Sequence, residues 1–284
     1  MILDCAGKSL DLSQPRVMGI LNVTPDSFSD GGRFLGREQA IEQALRMVEE
    51  GAAIVDIGGE STRPGSAGVS LEEELCRVVP VVEALASVLP VPISVDTSKP
   101  EVMQAAVEAG ASMINDVYAL RQQGALQMAA SLEVPVCLMH MLGEPRTMQQ
   151  APHYDDVVTE VAKFLHQQVL RCTAGGIARE RLLLDPGFGF GKSLQHNLSL
   201  LKQLDRLLGE GLPLLVGMSR KSMIGAVLDV PVEQRLHGSV AVAVMAAWQG
   251  AKVIRAHDVK ATAEAMEMVA AVMEGERFKV KGST

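Results

Sequence analysis

The feature that most constrains this chain is an alternation. Eight short runs rich in Val, Ile and Leu are each followed by a longer amphipathic stretch. The spacing predicts strands at Val17–Asn22, Ile54–Gly58, Ile93–Asp96, Met113–Asp116, Val136–His140, Leu182–Asp185, Leu214–Gly217 and Val253–His257. Helix-like segments lie between them, among them Arg37–Glu50, Leu71–Val88, Glu101–Glu108 and Asp155–Ala174. Gly51 and Gly110 stand where helices should stop, because glycine readily takes the left-handed conformation that ends one. A strand apolar along its whole length has both faces buried, and a helix between successive strands makes those strands parallel. Eight such units in 284 residues match the (β/α)8 barrel, whose usual size is about 250 residues. An open doubly wound sheet can carry a similar alternation. Against it, no linker-like stretch divides the chain, and no G-x-G-x-x-G follows the first strand. The expected fold is α/β, a single (β/α)8 TIM barrel domain over residues 1–284.

Three connections are long and polar: Val23–Gly36, Glu60–Ser70 and Met141–Pro152, after strands one, two and five. In a barrel all three lie on the C-terminal face, where lids and substrate sites are built. Charge narrows the partners. Lys and Arg total 26 against 34 Asp and Glu, for a net charge of -8, which argues against a nucleic-acid binder. The cysteines Cys5, Cys76, Cys137 and Cys172 form no C-x-x-C pair, as suits a reducing cytosol. Met1–Leu10 carries Asp4 and lacks the apolar core of a signal peptide. The longest apolar run, Val240 to Trp248, is far short of the roughly 20 residues a membrane span needs. A cytoplasmic protein without membrane or nucleic-acid partners is expected.

Polar groups gather at the strand ends: Asn22, Asp56, Asp96, Asn115, Asp185, then Ser219 with Lys221, then Arg255 with His257. Any one of them can be a helix N-cap, but stability does not require such a group at nearly every strand end. Arg255 and His257 are two apart and so project to the same side of the last strand. With Ser219, Arg220 and Lys221 they occupy the corner where barrels often bind phosphate. They form either an anion clamp for a phosphate or diphosphate, or an arginine paired with Asp56 or Glu60 to hold the rim. The two readings are compatible. Asp96, Asp185 and Asn115 would line the mouth, where an unpaired anion is costly. A ligand with adjacent N–H donors, such as a 2-amino-4-oxo pyrimidine, satisfies them, with Lys221 on that ring's acceptor. The alternative is a buried Asp–Lys pair. Asn22 can offer an oxygen to a hard cation such as Mg²⁺, or hold the first loop by hydrogen bonds.

Aromatic residues are only 3% of the chain, so their positions are informative. Phe28 lies in the first loop, and Phe188 and Phe190 lie between glycines just past the sixth strand. Such rings either form a flat slot for an aromatic co-substrate or pack over the rim. Met139 ends strand five, where it can touch a flat ligand. Tyr118 and Trp248 carry no comparable signal. Of the histidines only His257 is well placed, and His140 is ambiguous. No metal-ligand cluster, Ser–His–Asp order or P-loop is visible.

Gly19-Ile-Leu-Asn-Val-Thr-Pro-Asp-Ser-Phe-Ser-Asp-Gly-Gly32 and Ile54-Val-Asp-Ile-Gly-Gly-Glu-Ser-Thr-Arg-Pro-Gly65 resemble the two signature segments of the dihydropteroate synthase family. Asp185-Pro-Gly-Phe-Gly-Phe-Gly-Lys192, Gly217-Met-Ser-Arg-Lys-Ser222 and Ile254-Arg-Ala-His-Asp258 are similar to it as well. The resemblance implies a barrel that joins 4-aminobenzoate to (7,8-dihydropterin-6-yl)methyl diphosphate and releases diphosphate, the folate-synthesis step blocked by sulfonamides. It implies pterin contacts at Asp96, Asn115, Asp185 and Lys221, and diphosphate contacts at Thr62, Arg255 and His257. It also implies a Mg²⁺ ligand at Asn22, and an aminobenzoate pocket from Phe28, Arg63, Pro64, Phe190 and Ser222. Asn22, Lys221, Arg255 and His257 would then be the catalytic set. A homodimer is a further implication. An SN1-like alkyl transfer is the expected mechanism. The rivals, a pterin-dependent methyltransferase and a non-catalytic pterin-binding barrel, fit less well with Asn22, Arg255, His257 and the long first loop all present.

Overall fold

The computed structural model describes residues 1–23, 32–61, 65, 68–144 and 147–275. The chain begins with an antiparallel hairpin, β1 (Ile2–Cys5) and β2 (Lys8–Asp11). Its two turn residues, Ala6 and Gly7, both have positive φ (51° and 88°), the conformation that matches the twist of a two-residue hairpin. The Asp4 carboxylate secures the turn by accepting the Gly7 amide at 2.8 Å. The sequence reading did not anticipate this hairpin.

The eight expected strands follow: β3 (Arg16–Asn22), β4 (Ile54–Gly58), β5 (Ile93–Asp96), β6 (Met113–Asp116), β7 (Val136–Met139), β8 (Leu182–Asp185), β9 (Leu215–Val216) and β10 (Val253–Ala256). All pair in parallel, in the order β8-β7-β6-β5-β4-β3-β10-β9. The barrel closes between β8 and β9, where Leu184 bridges Leu214 and its amide donates to the Pro213 carbonyl at 3.0 Å. The expected (β/α)8 barrel is therefore the fold. Its seventh strand is shorter than the predicted Leu214–Gly217, because Leu214 contributes only that single bridge.

Nine helices are described: α1 (Gly32–Glu49), α2 (Leu71–Ala86), α3 (Pro100–Glu108), α4 (Ala125–Leu132), α5 (Val157–Ala174), α6 (Leu194–Lys202), α7 (Ser222–Leu228), α8 (Leu236–Trp248) and α9 (Val259–Glu274). Their starts follow local chemistry. Ser70 caps α2 by accepting the Glu73 amide, with Glu72, Glu73 and Glu74 in the first turn, where acids favour the helix dipole. Asp156 caps α5 in the same manner. Gly51 and Gly110 follow helix ends at φ 102° and 114°, as expected. Helix α1 starts earlier than the predicted Arg37, because glycines at 32 and 36 lower helix propensity by only about 1 kcal/mol each. Among the described residues, no helix is long and apolar enough to cross a membrane.

Side chains alternate across each strand, and this parity divides the barrel interior by height. Near the N-terminal ends, Met18, Ile54, Met113, Cys137, Leu183, Leu215 and Val253 form one buried apolar cluster with Leu3, Cys5, Leu10 and Leu12. The hairpin is thus a plug that seals the lower end of the barrel. Burial pushes the Cys5 thiol up to about 12, so it is an inert packing group there. The opposite faces of the strands meet the surrounding helices in a larger core.

Candidate active site

Two residues further along the same strands, the interior changes from apolar to charged. Asp56 follows Ile54, Asn115 follows Met113, Asp185 follows Leu183 and Arg255 follows Val253. Arg255 joins them: its Nε donates to Asp56 Oδ2 at 2.6 Å and its Nη2 to Asp96 Oδ2 at 2.8 Å. Asn115 Nδ2 donates to the same Asp56 oxygen at 3.2 Å. Asp56 is fully buried and Asp96 nearly so. The rim-pairing alternative for Arg255 is therefore realised, with Asp56 as one partner. These bonds use two of the five N–H donors of a guanidinium.

The electrostatics are those of a confined cluster. Burial pushes the Asp96 carboxyl up to about 7, against the pull of Arg255 and with help from Asp56, Asp116 and Glu74. Burial also raises Asp185, although Lys221 and the Gly187 amide oppose it. Lys221 is lowered to about 8, chiefly because its amine is desolvated. Arg255 stays protonated, since Asp56 and Asp96 outweigh its burial. Asp56 Oδ1 and Ser94 Oγ are buried without a hydrogen-bond partner. They face register-paired positions on β4 and β5, and an unmet buried acceptor costs about 1–3 kcal/mol.

Lys221 stands just before α7, and its amine donates to the Phe188 carbonyl and lies 4.6 Å from the centre of the Phe190 ring. The alternative, a buried Asp–Lys pair, reduces to an attraction between Lys221 and Asp185, with a carbonyl and an aromatic face as the direct partners of the amine. His257, just past β10, shares Ser219 Oγ between its backbone amide and its Nδ1, each at 3.1 Å. Arg220 does not join this corner. It is exposed and bonds Asp258 through Nε at 2.9 Å. Asn22 ends β3, half-buried at the mouth, and Ser222 opens α7, exposed. Phe28, Thr62, Arg63 and Pro64 lie outside the described residues.

An apolar cluster borders the charged one. Val117, Met139, Met141 and Met148 are buried together, with Tyr118 and Phe190 packed against them. Met139 and Phe190 were anticipated, whereas Val117, Tyr118, Met141 and Met148 were not. Alternation at Met139 and Met141 was the available signal. Phe188 forms no part of a slot at the mouth. It is fully buried in the core between strands and helices, and what it gives the site is its carbonyl.

A second network lay outside sequence reasoning. Glu74 is 1% exposed on α2 and accepts Thr97 Oγ1 at 2.6 Å. Lys99 bridges Glu74 to Glu60 at the start of the second connection. Among the described residues, no group of three His, Cys, Asp or Glu is arranged to hold a metal.

Comparison with known proteins places this geometry. Residues 18–257 match the model of a family described as pterin binding enzyme. The chain is 58% identical over 279 residues to the dihydropteroate synthase of Escherichia coli (strain K12), covering 98% of this chain and 99% of the relative. A Yersinia pestis dihydropteroate synthase solved with a sulfonamide drug superposes with a TM-score of 0.93 at 58% identity, over 97% of this chain and all of the other. The Xanthomonas albilineans dihydropteroate synthase solved with 4-aminobenzoic acid gives 0.91 at 56% identity, over 96% and 98% of the two chains.

Proposed function

Because this chain belongs to the dihydropteroate synthase family of pterin binding enzymes, we propose which of its residues carry out that family's reaction. The reaction condenses (7,8-dihydropterin-6-yl)methyl diphosphate with 4-aminobenzoate to give 7,8-dihydropteroate and diphosphate. The observation that carries the assignment is the convergence of Asp56, Asp96 and Asn115 on Arg255 at one mouth, beside Asp185 and Lys221.

Asp96, Asn115 and Asp185 hold the N–H-rich edge of the pterin, and Lys221 donates to its acceptor side. Arg255 and His257, with Thr62, take the diphosphate. Loss of that group leaves a cation on the pterin methylene, delocalised into the ring, which the carboxylates of Asp96 and Asp185 favour. The neutral arylamine of 4-aminobenzoate then attacks, in an SN1-like alkyl transfer that needs no strong base. Phe190 and the Met139–Met141–Met148 cluster form the apolar wall on the acceptor side, completed by Phe28, Arg63, Pro64 and Ser222. Excluding water there protects the cation from hydrolysis.

Mg²⁺ is the proposed cofactor, with Asn22 its protein ligand. The donor chemistry fits: one neutral oxygen at the mouth suits an ion that takes most of its shell from substrate phosphates and water. When bound, the ion supplies charge neutralisation on the departing diphosphate. We also propose a cytoplasmic homodimer of this one barrel, residues 1–284. Met245, Trp248, Met268, Val272 and Met273 on α8 and α9 are each more than half exposed, which supports an apolar contact between copies. Its cysteines are unpaired thiols, in keeping with a reducing compartment.

The test mixes purified protein with the dihydropterin methyl diphosphate, 4-aminobenzoate and Mg²⁺, and follows both products by chromatography. Dihydropteroate and diphosphate in equal amount, dependent on Mg²⁺, are expected. Product without any dependence on a divalent cation would remove the metal from this account. Diphosphate release without dihydropteroate would displace 4-aminobenzoate as the acceptor.

A further inference from the structure

The loop after β8 is held by its carbonyl oxygens. Gly187 O accepts Lys192 Nζ at 2.9 Å and Phe190 O accepts the same amine at 3.1 Å. Phe188 O accepts Lys221, Gly189 O accepts Gln149, and Gly191 O accepts Tyr154 Oη at 2.8 Å. Five consecutive carbonyls thus each take a proton donor from a side chain. Gly187, Gly189 and Gly191 have φ of 68°, 80° and 63°, and there is no room to vary two of them. A Cβ on Gly187 would lie 1.9 Å from the His140 carbonyl oxygen, and one on Gly191 2.4 Å from that of Leu142.

Lys192 is the centre of this arrangement and is only 3% exposed. Besides the two carbonyls, its amine lies 2.8 Å from His140 Nδ1. His140 is itself buried and boxed by the rings of Tyr154 and Phe164. Burial first, then the neighbouring Lys192, holds the imidazole at about 2, so it is neutral and Nδ1 can supply a lone pair. Desolvation lowers Lys192 as well. A lysine is expensive to bury, and this one spends its donors on loop carbonyls and a ring nitrogen. The loop it fixes presents the Phe190 ring to the apolar cluster and the Phe188 carbonyl to Lys221.

We propose that Lys192, seated on His140, is a positioning residue for the acceptor side of the site. By pinning Gly187 O and Phe190 O it holds the Phe190 ring at the geometry that receives the arylamine. This rests on the reading of the Phe190 cluster as the 4-aminobenzoate wall.

The experiment compares steady-state kinetics of wild type, Lys192→Met, Tyr154→Phe and Phe190→Ala, with thermal melts to measure the folded fraction. Lys192→Met keeps the unbranched apolar stem as far as Cε and removes the amine with its donors. It is expected to raise the KM for 4-aminobenzoate about tenfold while kcat per folded enzyme changes less than about threefold. Tyr154→Phe, which removes one clamp outside Lys192, is expected to raise the same KM by about twofold to threefold. A merely structural lysine would lower the melting temperature and leave the KM of the folded fraction unchanged, and that result overturns the proposal. If Lys192→Met does not fold, Tyr154→Phe decides: an unchanged KM overturns the loop-clamp account. Phe190→Ala separates the two levels. If it leaves the 4-aminobenzoate KM unchanged, the reading of the wall fails. If it raises that KM and Lys192→Met does not, only the positioning role fails.

Discussion

The lower and upper halves of the barrel interior are built on the same strands and obey opposite rules. Below, Met18, Ile54, Met113, Cys137, Leu183, Leu215 and Val253 meet the hairpin in a dry apolar cluster. Above, one side-chain period further along, Asp56, Asp96, Asn115, Asp185 and Arg255 put charge into a space of equal confinement. The lower cluster is built from apolar side chains. The upper half leaves Asp56 Oδ1 and Ser94 Oγ unmet and lifts two carboxyls toward neutrality. Stability and reactivity are separated by two residues per strand. The lower half can tolerate being only a core because the upper half need not be one.

The largest break in this division should come from Arg255→Ala. It leaves Asp56 and Asp96 buried without their cation, and losing one partner of a buried pair costs about 3 kcal/mol. Activity should fall at least about a hundredfold through loss of charge stabilisation at the leaving group. Chemical denaturation and steady-state kinetics check both numbers. If activity fell while stability was untouched, Arg255 would not be the counter-charge of the upper half.

Leu183→Ala probes the other side. Leu183 is fully buried in the lower cluster, and its truncation should cost about 3 kcal/mol. Catalytic efficiency per folded molecule should stay within about twofold. A large kinetic defect in well-folded protein would show that the two halves are coupled.

The smallest effect sharpens the upper half through pH. Asp96 is pushed up to about 7, mainly by burial; Arg255 opposes this, while Asp56, Asp116 and Glu74 reinforce it. Only the carboxylate accepts two N–H groups, so affinity for a phosphate-free pterin should rise about tenfold from pH 6 to pH 8. On stability the same shift has the opposite sense. A carboxyl more easily protonated when folded loses its contribution as pH rises from about 4 toward 7. Calorimetric titration checks the binding, and an identical pH dependence in Asp96→Asn would remove Asp96 from the pterin edge.

The barrel was legible because its strands are short, branched and apolar, and all eight begin and end within a residue of where the sequence puts them. The hairpin was not. Ile2–Cys5 and Lys8–Asp11 are four residues each, and a turn of Ala-Gly gives a weaker signal than Asn-Gly or Asp-Gly. For the site, strand-end positions in a barrel brought Asp56, Asp96, Asn115 and Arg255 together, and the structure joins these four by hydrogen bonds. The reading offered Asp56 or Glu60 as the partner of Arg255 and so named one of the two carboxylates; Asp96, 159 residues away, was not foreseen as the other. Lys192 was passed over for a different reason. Lysines are mostly exposed, and only the fold reveals that the carbonyls of Gly187 and Phe190 and the ring of His140 surround this one.

The order of strands around the barrel also bears on how the chain is made. Strand β10 is the last in sequence, yet it sits between β3, the first of the eight, and β9. It is the closing stave, and it carries Arg255. During synthesis Asp56 and Asp96 therefore emerge long before the residue that balances them, since domains are produced from the N-terminus onward. A nascent chain that has not reached residue 253 carries both acids but lacks the guanidinium that bonds them in the folded protein. Only the eighth strand brings the guanidinium that bonds both acids, so closing the barrel and balancing its buried charge are a single event.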